Sequence, residues 1–261
     1  MKHLFVICAY QENPYLEKCV QSIVNQTFKS NILISTSTPN EYIKNIASKY
    51  HLPMIVNTGI GDASDNLNFA YANAQADFVT LCHQDDYYAP KYLEYIIKEI
   101  EKAKSPVILF TDYYEDREDE IVKNNTLLRI KRTMLLPLKN RVLRKSVLVR
   151  KFVLGLGNPI CCPSVTFNRQ LIAELGYKRE YLAVGDWQIW IRLATLKGEF
   201  CYIAKPLMYH RIHEGSTTSV TIESSLRSQQ EMELFCTIWP KWFARILAKL
   251  YAKGQKSNYV E

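Results

Sequence analysis

Two adjacent carboxylates, Asp85 and Asp86, end the run DFVTLCHQDD directly after an apolar stretch, with His83 just ahead of them. Like charges side by side repel, and the repulsion grows as water is excluded. At the end of a core strand a cation resolves it. Magnesium and manganese take oxygen ligands, and beside phosphates they often use one or two protein carboxylates. A second reading of the pair is a cluster at the start of a helix, ahead of Pro90, where acids favour the dipole and cap free N–H groups.

Asp186, second in GDWQIWIRLATLKG, stands ahead of Trp187, Trp190, Ile191 and Ala194 on one helical face. It reads either as an N-cap or as a general base held beside a buried aromatic wall. In YHRIHEGSTT, His210 or His213 can supply a metal-ligating nitrogen. In an extended segment, residues three apart point to opposite sides, so one of the two is expected to face the site. The glycines of NTGIGDASDN predict a tight turn before a helix.

These residues need elements to place them. HLFVICA, NILIST, PMIVN, DFVTLC and PVILFTD read as strands. Between them lie helical patterns over 15–28, 39–50 and DASDNLNFAYANA, and one after Pro90 with Tyr92, Leu93, Ile96, Ile97 and Ile100 on a face. Such alternation predicts an α/β fold with a mainly parallel sheet flanked by helices. Ligands of such sheets bind beyond the carboxyl ends of the strands, which gathers residues 9–12, 35–38, 59–62 and 83–86 on one edge. After Asp112 the alternation stops. EDREDE reads as an acidic loop, followed by a basic helical stretch that Pro137 is expected to divide. A helix is expected from Asp186 to Lys197, ended by Gly198, and helical pattern from Ile222 to Gly254.

The 261 residues carry a net charge of +7, unevenly spread. Residues 123–151 hold ten Lys or Arg, and no Asp or Glu occurs between Glu120 and Glu174. The remainder has 23 basic and 26 acidic residues, a net of −3, so the basicity predicts a local patch that meets an anionic partner. That stretch alternates charge with Leu and Val and has no base-stacking module, which argues against nucleic acid. Residues 239–253 set Trp242, Phe243, Ile246, Leu247, Leu250 and Tyr251 opposite Lys241, Arg245, Lys249 and Lys253. Such a helix suits an anionic membrane surface or packing on the domain. The start MKHLFVICAY has no signal-peptide pattern. The seven cysteines lack a CxxC pair and read as buried, reduced thiols of a cytoplasmic protein, peripheral on the inner face of the membrane if the basic helices bind it.

In order, ICAYQENPYLEKCVQSIVNQTF, NTGIGDASDNLNFAYANAQADFVTLCHQDDYYAPKYLE, CPSVTFNRQLIAELG, VGDWQIWIRLATLKG and YHRIHEGSTT resemble the family 2 inverting glycosyltransferases with a GT-A fold, over most of residues 3–218. The members most like this pattern build bacterial surface polysaccharides. The resemblance implies a nucleotide-sugar donor, a glycan or lipid-linked acceptor and a divalent cation, Mn or Mg. It assigns Ala9, Tyr10 and Glu12 to the loop that cradles the nucleotide, and adds Asp65, His83 and Asp85 to the donor site. Asp86 is implied as the better metal ligand, joined by Asp85 and by His213, and Asp186 as the catalytic base. It implies a catalytic domain over 1–218, with a nucleotide-binding half at 1–112, a basic helical insertion at 123–152 and an acceptor half at 155–218. Amphipathic helices follow over 219–261. The chain departs from the pattern at three places. STST at 35–38 stands where members carry base-reading aspartates, His83 replaces the first Asp of D-x-D, and Gly185 replaces the Glu before the base. A non-catalytic, nucleotide-binding or scaffolding role in a polysaccharide assembly complex is the alternative these departures suggest.

Overall fold

The computed structural model describes residues 1–117, 120–181, 183–213 and 225–255. The EGSTT end of the fifth segment, the expected boundary at 218–219 and the helix start at Ile222 lie outside them.

β1 (His3–Ala9), β2 (Asn31–Thr36), β3 (Met54–Val56) and β4 (Phe78–His83) alternate with α1 (Leu16–Val24), α2 (Glu41–Lys49) and α3 (Ala63–Ala72). Then come β5 (Tyr87–Tyr88), α4 (Tyr92–Lys102), β6 (Pro106–Arg117) and β7 (Glu120–Val122). The second half supplies α5 (Thr126–Lys139), α6 (Val147–Gly155), β8 (Val165–Asn168), α7 (Gly185–Leu193), β9 (Glu199–Ile212), α8 (Ser225–Ile238) and α9 (Lys241–Gln255).

The strands form one sheet in the order β3-β2-β1-β4-β8-β6-β9-β5, with β7 on β6. The α/β class expected from the sequence is what the structure shows, and β1 to β4 pair in parallel. One difference is β8, which lies antiparallel between β4 and β6. Strands β6 and β9 still run parallel to β4, so the binding edge is preserved. β1 is apolar at nearly every position because both of its faces are covered. Leu4 and Val6 enter the core under α3 and the second-half helices, while Phe5, Ile7 and Ala9 enter the core under α1, α2 and α4.

Four local expectations change. Pro137 does not divide the basic stretch. It sits in the last turn of α5, and the break falls at Asn140 to Ser146. The described residues of EDREDE are strand rather than loop: β6 runs to Arg117 and pairs with β7 from Glu120, burying Glu115 and Asp116. Asp186 is not an N-cap: Val184 holds that place and Asp186 lies in the first turn of α7, which ends at Leu193 rather than Lys197. The C-terminal helical run breaks at Trp239–Pro240, where proline lacks an N–H and disfavours helix in the residue before it. No described helix is long and apolar enough to cross a membrane.

Candidate active site

β4 delivers His83 to the sheet edge, and the following turn sets Asp85 and Asp86 beside the end of β9. Asp86 is almost wholly buried, and its Oδ1 accepts the Arg211 N–H at 2.9 Å and lies 2.9 Å from His210 Nδ1. Its Oδ2 is buried without a hydrogen-bond partner. Asp85 Oδ2 lies 3.2 Å from His213 Nε2. Burial opposes ionisation of Asp85, but the contact with His213 and the fields of His83 and His210 hold its carboxyl below the ordinary range. Burial likewise opposes the charged form of His210, yet the Asp86 carboxylate raises its pKa.

Both histidines therefore meet the acidic pair, where alternation predicted one. β9 ends at Ile212, so His213 has left the strand and its period. Arg211 between them braces the turn. Its Nε donates to the Asp85 carbonyl at 3.1 Å, its Nη1 pairs with Asp116 at 3.1 Å, and its guanidinium lies over Tyr15 at 4.2 Å. Ligand atoms of His83, Asp85 and Asp86 fall within 4.8 Å of one another. With the orphaned Asp86 Oδ2 among them, this donor set fits a hard divalent cation. The histidine replacing the first Asp of D-x-D contributes a nitrogen to the same cluster.

Asp186 sits across a cavity of about 590 Å³ that His83, Asp85 and His210 also line. The Trp187 N–H donates to its Oδ1 at 2.7 Å and Asn158 Nδ2 to its Oδ2 at 2.8 Å, fixing the carboxylate. Trp187 behind it is buried, with edge contact to Phe235 of α8. Trp190, buried one turn on, stacks on Phe167.

The loop after β1 lies at the sheet edge beside the acidic turn. Ala9 is buried at the end of β1, Tyr10 is exposed, and Glu12 is exposed beside it. The Tyr10 N–H donates to Gln84 Oε1 at 2.8 Å, and Gln84 Nε2 returns a bond to the Tyr10 carbonyl at 3.0 Å, tying the loop to the acidic turn. Gln11 takes a positive φ of 54°, and its N–H donates to Thr38 of the STST segment at 2.5 Å. Asp65 faces the NTGIG turn: Oδ2 accepts from the Gly61 N–H at 2.9 Å and Asn57 Nδ2 at 2.8 Å, and these bonds lower its pKa. A Cβ at Gly59 would lie 2.8 Å from the Asp65 carboxylate, so a larger residue there would push that side chain out of place.

The expected basic patch is partly internal. Arg144 is buried between Glu99 at 2.6 Å and Glu199 at 2.7 Å, and Arg150 is buried against Phe200 with Nη2 donating to the Leu196 carbonyl at 2.9 Å. Lys131 points into the cavity. Sequence reasoning missed Lys131, Tyr113 and Asn158 as cavity residues, since they come from α5, from β6 and from the segment after α6, which only the folded chain brings together. Of the cysteines, all are free; Cys19, Cys82 and Cys201 are buried, and Cys236 is exposed.

Residues 4–175 match the family model described as glycosyl transferase family 2. A curated relative, the glycosyltransferase GlyA of Streptococcus pneumoniae serotype 4, is 25% identical over 120 residues, which are 44% of this chain and 17% of that protein. The chain thus spans about a sixth of the length of that relative. Among solved structures, S. aureus TarS 1–349 in complex with UDP-GlcNAc aligns with TM-score 0.60 and 15% identity, covering 98% of this chain and 73% of that one. The mannosyltransferase PcManGT from Pyrobaculum calidifontis, in complex with GDP-Man and Mn2+, aligns with TM-score 0.61 and 14% identity, covering 98% and 70%. These likenesses carry the fold, which is the GT-A arrangement of those enzymes.

Proposed function

On the premise that the chain belongs to glycosyl transferase family 2, we propose that it moves a sugar, with inversion, from a nucleotide-sugar donor to a hydroxyl of a glycan or lipid-linked acceptor. The observation that carries this reading is one cavity with Asp85 and His83 on one side and the fixed carboxylate of Asp186 on another. Ala9, Tyr10, Glu12 and Asp65 hold the nucleotide along the sheet edge. Asp85, Asp86 and His83, with His213 on Asp85, would hold a divalent cation. When bound, such a cation neutralises diphosphate charge. Asp86 spends Oδ1 on Arg211 and His210 but keeps the unpartnered Oδ2 for the cation, while Asp85 spends Oδ2 on His213 and is the more exposed of the two, so both serve as ligands. Asp186 accepts the proton of the acceptor hydroxyl as that oxygen bonds to the anomeric carbon and the bond to the diphosphate breaks. Its two donors, Asn158 and the Trp187 N–H, hold it in position for attack from the face opposite the leaving group.

Polysaccharide synthesis at the inner face of the cell membrane is the setting proposed for this reaction. Its support is α9, which exposes Trp242, Ile246 and Leu250 beside Lys241, Arg245 and Lys249 while Ala244 packs on the core. Thermal shift across a panel of nucleoside diphosphates, with and without manganese, tests the donor site. A manganese-dependent shift for one base, lost in Asp85→Ala, is expected. No shift with any nucleotide overturns the reading. Binding without transfer from any sugar donor favours the scaffolding alternative.

A further inference from the structure

Lys131 lies on α5, and its side chain opens into the cavity shared by Asp85 and Asp186. Among the described residues it has one hydrogen bond, from Nζ to Tyr113 Oη at 2.8 Å, and no ion pair. The residue is half-buried, and an ammonium partly shielded from water with only a neutral partner is costly. The carboxylates whose fields reach it are committed elsewhere. Glu115 binds Arg117 at 3.0 Å and Asn125 at 2.9 Å, and Asp186 is held by Asn158 and the Trp187 N–H. Burial accordingly pulls Lys131 below its ordinary range, against the opposing influence of Cys161, Glu115 and Asp186. Two other inward cations of the same run have carboxylate partners, Arg132 with Asp112 and Arg144 with two glutamates; Arg150, which donates to carbonyl oxygens and leaves Nη1 unpartnered, lies off the cavity that Lys131 lines.

Its location supplies the missing counter-charge. Tyr113, which holds Lys131, meets His210 edge-on with ring centroids 6.2 Å apart, and His210 contacts Asp86. Lys131 therefore stands between the acidic turn and the base, where the reacting substrates must come together. We propose that Lys131 reads a phosphate group of a bound substrate, as a fixed positive charge of the site in addition to any cation at Asp85 and Asp86. The inference rests on the glycosyltransferase reading and adds to it a residue from the basic insertion.

Two substrates can bring that phosphate. One is the donor, through its diphosphate. The other is an acceptor whose sugar is joined through phosphate to an apolar chain. The second fits the outer cavity wall, where Leu127, Ile130 and Met134 of α5 face the space along with Leu247 and Leu250 of α9. Ile130 and Leu250 continue to the surface, 48% and 60% exposed.

The test is calorimetric binding to wild type, Lys131→Met and Lys131→Arg. One arm compares a nucleoside diphosphate with its monophosphate, both with manganese. The other compares decyl phosphate with decyl glucoside, below their micellar concentrations. In Lys131→Met, affinity for the diphosphate or for decyl phosphate is expected to fall about tenfold, as loss of one charge-assisted bond requires. The monophosphate and the glucoside should bind as before, and Lys131→Arg should keep most of the affinity. The arm that loses affinity names the source of the phosphate. The melting temperature of unliganded Lys131→Met should equal or exceed that of wild type, since an ion-burial cost is removed, so weakened binding cannot be assigned to unfolding. Loss below about threefold in both arms overturns the inference. Failure of the broader reading looks different: wild type then binds no nucleotide in the presence of manganese.

Discussion

Asp186→Asn should stop the chemistry without disturbing the fold, and the local hydrogen bonds say why. Asp186 Oδ1 accepts the Trp187 N–H at 2.7 Å, a backbone donor that cannot turn away. In the variant the amide oxygen must stay there, which sets the new NH2 group against Asn158 Nδ2, now 2.8 Å from Oδ2. Two donors would then face each other. Asn158 can resolve this by half a turn of its own amide, because its Oδ1 is buried without a partner and can accept the new N–H. One unsatisfied atom replaces another and a partly buried charge is removed, so the stability change should stay within about 1 kcal/mol. That is about 2–4 °C in melting temperature for a chain of this size. Asp186→Ala offers no such exchange: Asn158 and the Trp187 N–H both lose their acceptor, at about 1–3 kcal/mol for each buried group. Catalysis should separate from stability. Loss of a general base costs about 10²–10⁴ in rate, or about 3–5 kcal/mol in the barrier. The assay is single-turnover sugar transfer with the donor found in the nucleotide panel, alongside donor binding and melting curves. Donor affinity should hold, since the acidic turn lies across the cavity. Transfer in Asp186→Asn within about threefold of wild type refutes the base assignment. A collapse of its melting temperature to that of Asp186→Ala refutes the argument from Asn158.

Arg144→Met should destabilise by about 3–5 kcal/mol, because it strands Glu199, only 2% exposed, with Lys145 at 3.8 Å as its remaining side-chain cation. Urea unfolding measures this, and a loss under about 1 kcal/mol would show that the buried cluster relaxes. Lys131 faces Tyr113, Glu115, Cys161, Asp186 and Arg227, and its folded pKa lies below the ordinary 10.5. The unfolded chain therefore binds more protons in that window, and wild type should gain stability relative to Lys131→Met as pH rises toward 10.5. Melting curves of the two proteins at rising pH should converge, and a constant gap contradicts the sign. In flotation assays the protein should rise with anionic liposomes and stay down with neutral ones. Trp242→Glu, at a position 67% exposed on α9, should weaken that association, and equal flotation of both proteins removes α9 from the membrane reading.

Much of the first half of the chain was legible because periodicity reports burial directly. Tyr92, Leu93, Ile96, Ile97 and Ile100 repeat at helical spacing, and all five are buried in α4. HLFVICA is apolar at nearly every position because both faces of β1 are covered. The Asp85–Asp86 pair announced itself by placing like charges at the end of such a strand. Period says which side of an element is covered, but not by what. β8 is only four residues long, too short for its pattern to reveal that it would enter the sheet antiparallel. The contact of His210 with Asp86 spans 124 positions, and that of Asn158 with Asp186 spans 28; no local pattern encodes either. The basic run shows the division most plainly. Its charge and helical spacing are properties of the sequence. That Arg144 and Arg150 turn inward while Lys131 enters the cavity follows from the carboxylates, carbonyls and open space waiting on the sheet, which exist only once the chain has folded.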